Sequence, residues 1–72
     1  MTSVDVDAVK AALIDKGWNG AELAAHARLR PGTVYKFMSG QGGAAPRTFK
    51  VIGDALGVRP SSLMKKEDNE PV

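Results

Sequence analysis

The chain of 72 residues contains no cysteine, and this absence excludes disulfide bonds and every metal site that needs a thiolate ligand. It also fits a reducing compartment, so we expect a cytoplasmic protein. A single histidine, His26, cannot build a histidine-rich metal site, and we expect no cofactor and no small-molecule ligand. No apolar run approaches the roughly 20 residues that a membrane helix needs, so we expect no membrane association. A secretory signal is also not indicated, because no basic stretch followed by an apolar run is seen near the N-terminus.

Acidic residues are missing from one long stretch of the chain, between Glu22 and Asp54. The cations of this stretch are Arg28, Arg30, Lys36, Arg47 and Lys50. The net charge of the whole chain is only +2, so the distribution of charge is more informative than its sum. A basic segment of this kind is typical of a protein that binds a polyanion, although a solvated face without acids gives the same pattern.

The spacing of apolar residues predicts helices and no strands. Apolar side chains recur three and four positions apart, and the chain is long enough for one small domain. Helices are predicted over residues 4–16, 19–27, 31–39 and 46–56, and a short final helix begins at Pro60 and carries Leu63 and Met64. We therefore expect an all-α, compact five-helix domain over residues 1–64, followed by a disordered, charged tail over residues 65–72.

Residues with strong positional preferences mark the helix ends. Thr2 or Ser3 is expected to cap the first helix, and Asn19 with Glu22 has the spacing of a capping box for the second. Prolines suit the first position of a helix, and glycines suit the position after its end. These markers are Pro31, Pro46, Gly17, Gly40 and Gly57.

The second and third predicted helices have the spacing of a DNA-binding helix-turn-helix. This motif needs a small residue in its first helix at the crossing, apolar residues beside the turn and an inward apolar pair on its second helix. Ala24 is the small residue, Ala27 and Leu29 are beside the turn, and Val34 and Phe37 are the inward pair.

The stretch ELAAHARLRPGTVYKFMSG resembles the helix-turn-helix of the phage-repressor family, which includes the lambda repressor and Cro proteins. The likeness continues through PRTFKVIGDALGVRPSSLM, which is similar to the closing helices of that family, and it covers roughly residues 16–64. It implies a lambda-repressor-like fold. It also implies a sequence-specific transcriptional regulator that places a recognition helix, about residues 31–39, in the major groove of double-stranded DNA.

The resemblance also implies which residues read bases. Pro31 and Gly32 occupy positions that often do so in the family, but neither has a side chain that donates a hydrogen bond. Base readout would therefore shift to the neighbouring side chains Arg30, Thr33, Tyr35, Lys36 and Ser39. Two of these have an alternative: Arg30 could reach a phosphate, and Tyr35 could contact a phosphate through its hydroxyl group or pack on a sugar. Lys36 is the first choice, because it lies in the middle of the helix and a lysine suits the N7 and O6 acceptors of guanine.

Contacts to the DNA backbone are expected from Asn19, Arg28, Gln41 and Arg47. Arg47 matches a position where the family contacts the backbone. The family usually has a phosphate-binding glutamine at the position of Gly20, so that side-chain contact is missing here. Arg28 replaces a glycine of the family's turn, where a positive φ is often needed.

Two other classes of function remain open. A protein-interaction module, such as an antitoxin or antirepressor, can use the same motif, but the polar and basic outer side of the third helix favours DNA. An enzyme is poorly supported, because the chain offers one histidine with no acid at a suggestive spacing.

The resemblance also bears on the oligomeric state, because the family usually binds DNA as dimers. Only Leu63, Met64 and the tail are available here for dimer contacts. We therefore expect a weak homodimer or a monomer that pairs on DNA.

Overall fold

The computed structural model describes residues 2–65, and this part of the chain contains four α-helices and no β-strand. The helices are α1 (Val6–Lys16), α2 (Gly20–Ala27), α3 (Pro31–Ser39) and α4 (Pro46–Leu56), followed by a single 3-10 turn at Pro60–Leu63. The all-α prediction is confirmed for these residues. The predicted short fifth helix begins at Pro60 as expected, but it is a single 3-10 turn, so a domain of five α-helices is not confirmed. Within residues 2–65, none of the helices combines the length and apolar character that spanning a bilayer requires.

Local signals explain why α3 and α4 begin and end where the sequence predicts, and why α2 does so to within one residue. The Oδ1 atom of Asn19 accepts a hydrogen bond from the N–H of Glu22, and Oε1 of Glu22 accepts one from the N–H of Asn19, both at 2.8 Å. This reciprocal capping box occupies backbone donors that the first turn of α2 would otherwise leave free. Proline occupies the first position of α3 and of α4, and glycines in the left-handed conformation follow the last residues of α1, α3 and α4.

The predicted start of α1 is wrong by two residues. The sequence pattern places the cap at Thr2 or Ser3, but α1 begins at Val6 and its cap is Asp5. The Asp5 carboxylate accepts a hydrogen bond from the N–H of Ala8 at 3.1 Å. An aspartate is a stronger cap than a threonine, and its charge also interacts favourably with the helix dipole, so the helix starts after Asp5.

The segment before α1 is extended because it pairs with the other end of the domain. Val4 and Met64 form an isolated antiparallel bridge, and the N–H of Lys65 donates to the carbonyl oxygen of Ser3 at 2.9 Å. Met64 is therefore extended and lies outside the final turn, contrary to the prediction. Lys65, expected to begin the tail, is held by this hydrogen bond, and the remainder of the predicted tail lies outside the described residues.

The hydrophobic core lies between the helices and fixes the orientation of α3. Phe49 of α4 and Leu23 of α2 are completely buried, and Leu63 of the 3-10 turn is 1% exposed. The rings of Phe37 and Phe49 meet edge to face, with centroids 5.1 Å apart and an interplanar angle of 69°. Since α3 also packs against α1 and α2, one side of this helix is buried and the other faces solvent.

Candidate nucleic-acid interface

The helix pair α2 and α3 has the interior that a helix-turn-helix requires. The two helices pack against each other and are joined by a turn of three residues, 28–30. Ala24 and Ala27 are buried on α2, where small side chains allow a neighbouring helix to approach closely. Val34 and Phe37 are buried on α3, and Leu29 in the turn is half-buried against the core. The residues that the sequence predicts to be inside are therefore inside.

The outer side of α3 is exposed and polar. With about 3.6 residues per turn, Gly32, Lys36 and Ser39 lie along the middle of the side opposite the inner residues Val34, Phe37 and the half-buried Met38. The three outer residues are solvent-accessible, and Gly32 has open space around it, since a Cβ atom built there would meet no atom within 4 Å. Lys36 is thus the longest side chain in the middle of this outer side.

The two flanks of α3 face different neighbours. On one flank, Thr33 lines a shallow depression of about 170 Å³ together with Lys36 and with Thr48 of α4. Ala44 and Ala45, which precede α4, line the same depression. On the other flank, α3 faces the first turn of α2.

Gly20 lies under the ring of Tyr35 on this second flank. A Cβ atom built on Gly20 would lie 2.7 Å from Cε1 and 3.1 Å from Cζ of Tyr35, and 3.1 Å from Sδ of Met38. Any side chain at this position would therefore displace the ring, although Tyr35 itself is 51% exposed. From the sequence, Gly20 is only a missing phosphate contact. The structure shows that the glycine makes room for Tyr35, and no local pattern signals this contact because it joins two helices.

The turn between α2 and α3 contains a strained residue. Arg28 ends α2 with φ 59° and ψ 42°, the left-handed conformation. The positive φ that the resemblance implies is therefore present, and for a residue with a side chain this conformation costs about 1–2 kcal/mol. Arg30 caps α3 in an extended conformation without a side-chain hydrogen bond to the helix. Both arginines are exposed at the N-terminal end of α3.

Two of the predicted contact residues, Ser39 and Asn19, use their side chains in local hydrogen bonds. The Ser39 hydroxyl donates to the carbonyl oxygen of Lys36 at 2.7 Å and accepts from the N–H of Gln41 at 3.3 Å. The Asn19 carbonyl oxygen belongs to the capping box of α2. Ser39 therefore meets an outside group as a hydrogen-bond acceptor, and Asn19 meets one through its NH2 group.

The charges of the folded domain are unevenly distributed. The five cations of the acid-free stretch are all exposed, and they lie on α3, on α4 and in the turn that precedes α3. Arg47 lies in the first turn of α4, whose N-terminus has no side-chain cap. By contrast, Asp5, Asp7 and Asp15 lie in or beside α1. Lys10 and Lys16 balance the acids of α1, whereas Asp54 is the one acid on α3, α4 and the turn before α3, so the net positive charge lies on these three elements.

An aromatic stack fixes the far end of α2. The rings of Trp18 and His26 are nearly parallel, with centroids 4.1 Å apart and an interplanar angle of 6°. The Nζ atom of Lys16 lies 5.6 Å from the centroid of the Trp18 ring. This stack joins the turn before α2 to the last turn of that helix. The sequence predicts Trp18 as a core or hinge residue between two helices and His26 as a surface residue, but it does not predict that their rings stack.

Comparison with protein-family models, with curated proteins and with solved structures finds no match for this chain. Its function is therefore inferred from its own residues and geometry. The structure brings Thr33, Tyr35 and Lys36 together on the exposed part of α3. It places Arg28 and Arg30 at the N-terminal end of this helix.

Proposed function

We propose that this chain is a sequence-specific double-stranded DNA-binding regulator of the phage-repressor, lambda-repressor-like type, and that α3 is its recognition helix. One observation carries the proposal. The outer side of α3 is exposed, polar and free of acids, with Lys36 at its middle, while its inner side is packed against α1 and α2. A surface of this kind presents cations and hydrogen-bond donors to a polyanion and has few apolar groups to offer a protein partner.

The dimensions of a helix decide which residues reach the bases. An α-helix with its side chains is about 10–12 Å across, and the major groove is about 12 Å wide. When such a helix lies in the groove, the middle of its outer side faces the base edges. Lys36 is then placed to donate to the N7 and O6 atoms of guanine. Arg30 reaches the base edges near the start of α3, and the methyl group of Thr33 can make an apolar contact with the methyl group of thymine.

The backbone contacts come from the residues around α3. Arg28 precedes it, and Arg47 follows it in the first turn of α4, where backbone N–H groups also attract a phosphate. Gln41 in the loop after α3 and the NH2 group of Asn19 complete this set. Contacts of this type orient the protein on the duplex without reading its sequence.

A protein-interaction module is the alternative, and it calls for a broad exposed apolar surface. Among residues 2–65, the exposed large apolar side chains are Ile14, at 76%, and Tyr35, at 51%, and they lie on different helices. This distribution favours DNA over a protein partner.

The residues available for a dimer interface are few. Leu63 is buried in the core, and Met64 is half-buried beside Val4. Leu63 therefore cannot contact a second copy without leaving the core. We propose that the protein is a monomer that pairs on DNA or a weak homodimer. In both cases, sedimentation of the free protein is expected to show mainly the monomer.

The test is selection of bound sequences from a random pool of double-stranded DNA, followed by titration of the enriched site. Lys36→Ala is compared with Lys10→Ala, because both lysines are exposed on helices and each variant removes one positive charge. Lys36→Ala is expected to weaken binding by about 1–3 kcal/mol and to relax the preference at one base pair. Lys10→Ala, on α1, is expected to bind nearly as the unchanged protein does. Enrichment of no sequence, or equal binding by the two variants, would overturn the proposal.

A further inference from the structure

The ring of Tyr35 has a direction that its position on the helix alone does not determine. The two ring atoms nearest to Gly20 are Cε1 and Cζ, which form the end of the ring that carries the hydroxyl group. The hydroxyl end of Tyr35 is therefore beside the first turn of α2. Gly20 itself is buried, so the ring covers it.

This direction separates Tyr35 from the residues in the middle of the outer side. Lys36 is exposed and borders the depression on the side of α4, whereas the side chain of Tyr35 leaves α3 on the other side, toward α2. Since a helix nearly fills the width of the major groove, a side chain on its flank faces the sugar–phosphate strand that borders the groove. A hydroxyl group held there is a suitable donor to a phosphate oxygen.

We infer that Tyr35 contacts the sugar–phosphate backbone instead of a base, and that Gly20 is the positioning residue that sets the Tyr35 hydroxyl at this contact. The inference rests on the proposed DNA binding and deepens it, because it moves Tyr35 out of the set of base readers. It also gives Gly20 a role that needs the absence of a side chain. Alanine at this position would push the ring away from α2 and misplace the hydroxyl group.

The first measurement needs no DNA. The chain has one tyrosine, so its ring resonances are assigned without ambiguity. A nuclear Overhauser effect is expected between the Tyr35 ring protons and the Hα protons of Gly20. In Gly20→Ala the ring resonances are expected to shift, with the thermal midpoint measured alongside to show that the variant is folded. Absence of the Overhauser effect in the unchanged protein would overturn the inference.

The second measurement is a double-mutant cycle on the enriched DNA site. Gly20→Ala is expected to weaken binding roughly twofold to tenfold, the range for one hydrogen bond. In the Tyr35→Ala background the same substitution is expected to have no further effect, because the ring that it displaces is gone. This background also removes the closest contact and leaves only the 3.1 Å approach to the end of the flexible Met38 side chain, so the double variant is expected to keep the fold even where Gly20→Ala alone does not. Equal losses in the two backgrounds would show that Gly20 acts independently of Tyr35 and would overturn the inference.

Tyr35→Phe tests which part of DNA the hydroxyl meets. The variant is expected to lose roughly twofold to tenfold in affinity, by the same factor at the enriched site and at sites with altered bases. A loss confined to one base pair would identify Tyr35 as a base reader and overturn the inference while leaving DNA binding established. If the unchanged protein binds no DNA, the proposed function itself fails, and the inference fails with it.

Discussion

Two helix junctions in this domain have the same backbone geometry and different residues. Gly17 ends α1 with φ 71° and ψ 29°, and Arg28 ends α2 with φ 59° and ψ 42°. A Cβ atom on Gly17 would meet nothing within 4 Å, so its backbone conformation alone explains the glycine. Glycine adopts this conformation without strain, so the junction at Gly17 is unstrained, whereas the junction at Arg28 is strained.

The difference teaches where the domain accepts strain. Strained residues persist where the surrounding structure determines them, and they are common at functional sites. The Arg28 side chain is exposed, and it lies at the end of the helix pair where the proposed DNA-binding surface begins. We therefore interpret the glycine junctions as parts of the scaffold and the arginine junction as a part of the binding surface.

The largest effect is expected at a third junction, Gly40, which ends α3. Its φ is 75°, close to that of Gly17, but a Cβ atom there would lie 2.8 Å from Cγ2 of Val6. Gly40→Ala should therefore combine backbone strain with a collision and lower the free energy of unfolding by about 2–4 kcal/mol. Gly17→Ala, which brings the strain alone, should lower it by about 1 kcal/mol. Urea denaturation of both variants measures the difference. Equal losses of unfolding free energy would show that the Val6 side chain moves aside without cost.

Much of this scaffold could be predicted from the sequence, because its signals are local. The capping box of Asn19 and Glu22 and the prolines at the starts of α3 and α4 act on their own helices, and the predicted bounds are confirmed to within one residue. The start of α1 could not be predicted, because the backbone before Asp5 pairs with residues from the far end of the domain. The same pairing holds Met64 extended.

The candidate site could be predicted in part for the same reason. Helical spacing was sufficient to place Lys36 and Thr33 outside and Val34 inside, and the structure confirms these positions. The contact of Tyr35 with Gly20 depends on how α2 packs against α3, so spacing along either helix could not indicate it. Spacing indicates that Tyr35 is exposed, and only the structure shows that its ring lies against Gly20.

Asn19 tests whether one residue can serve both the scaffold and the surface. Asn19→Ala should lower the free energy of unfolding by about 1 kcal/mol, because the N–H of Glu22 loses its acceptor. Asn19→Ser keeps a cap and should leave stability nearly unchanged, but it removes the NH2 group that we propose to contact the backbone. Thermal unfolding and DNA titration of the two variants separate the roles. If Asn19→Ser binds DNA as the unchanged protein does, Asn19 belongs to the scaffold alone.

Arg47 tests whether the surface extends beyond the helix pair to α4. Arg47→Ala should weaken binding to all sequences alike and make the negative slope of log affinity against log salt concentration shallower by about one. Arg59→Ala is the matched control, since Arg59 is also exposed but lies outside the acid-free stretch. Anisotropy titrations at several salt concentrations give the slopes. A loss of affinity at the enriched site alone would show that Arg47 reads a base. Equal slopes for the two variants would show that α4 is not part of the DNA-binding surface.

The smallest effect on stability is expected at Arg28, and it should have the opposite sign. Arg28→Gly relieves the strained φ and should raise the free energy of unfolding by about 0.5–1 kcal/mol, somewhat less than the strain itself because glycine also loses more entropy on folding. The same variant removes a cation from the surface and should make the negative slope of log affinity against log salt concentration shallower by about one. Arg28→Lys keeps both the charge and the strain, so its stability and its slope should stay close to those of the unchanged protein. If Arg28→Gly became more stable without losing DNA affinity, the strain at this junction would have no role in binding, and the two junctions would differ only in residue type.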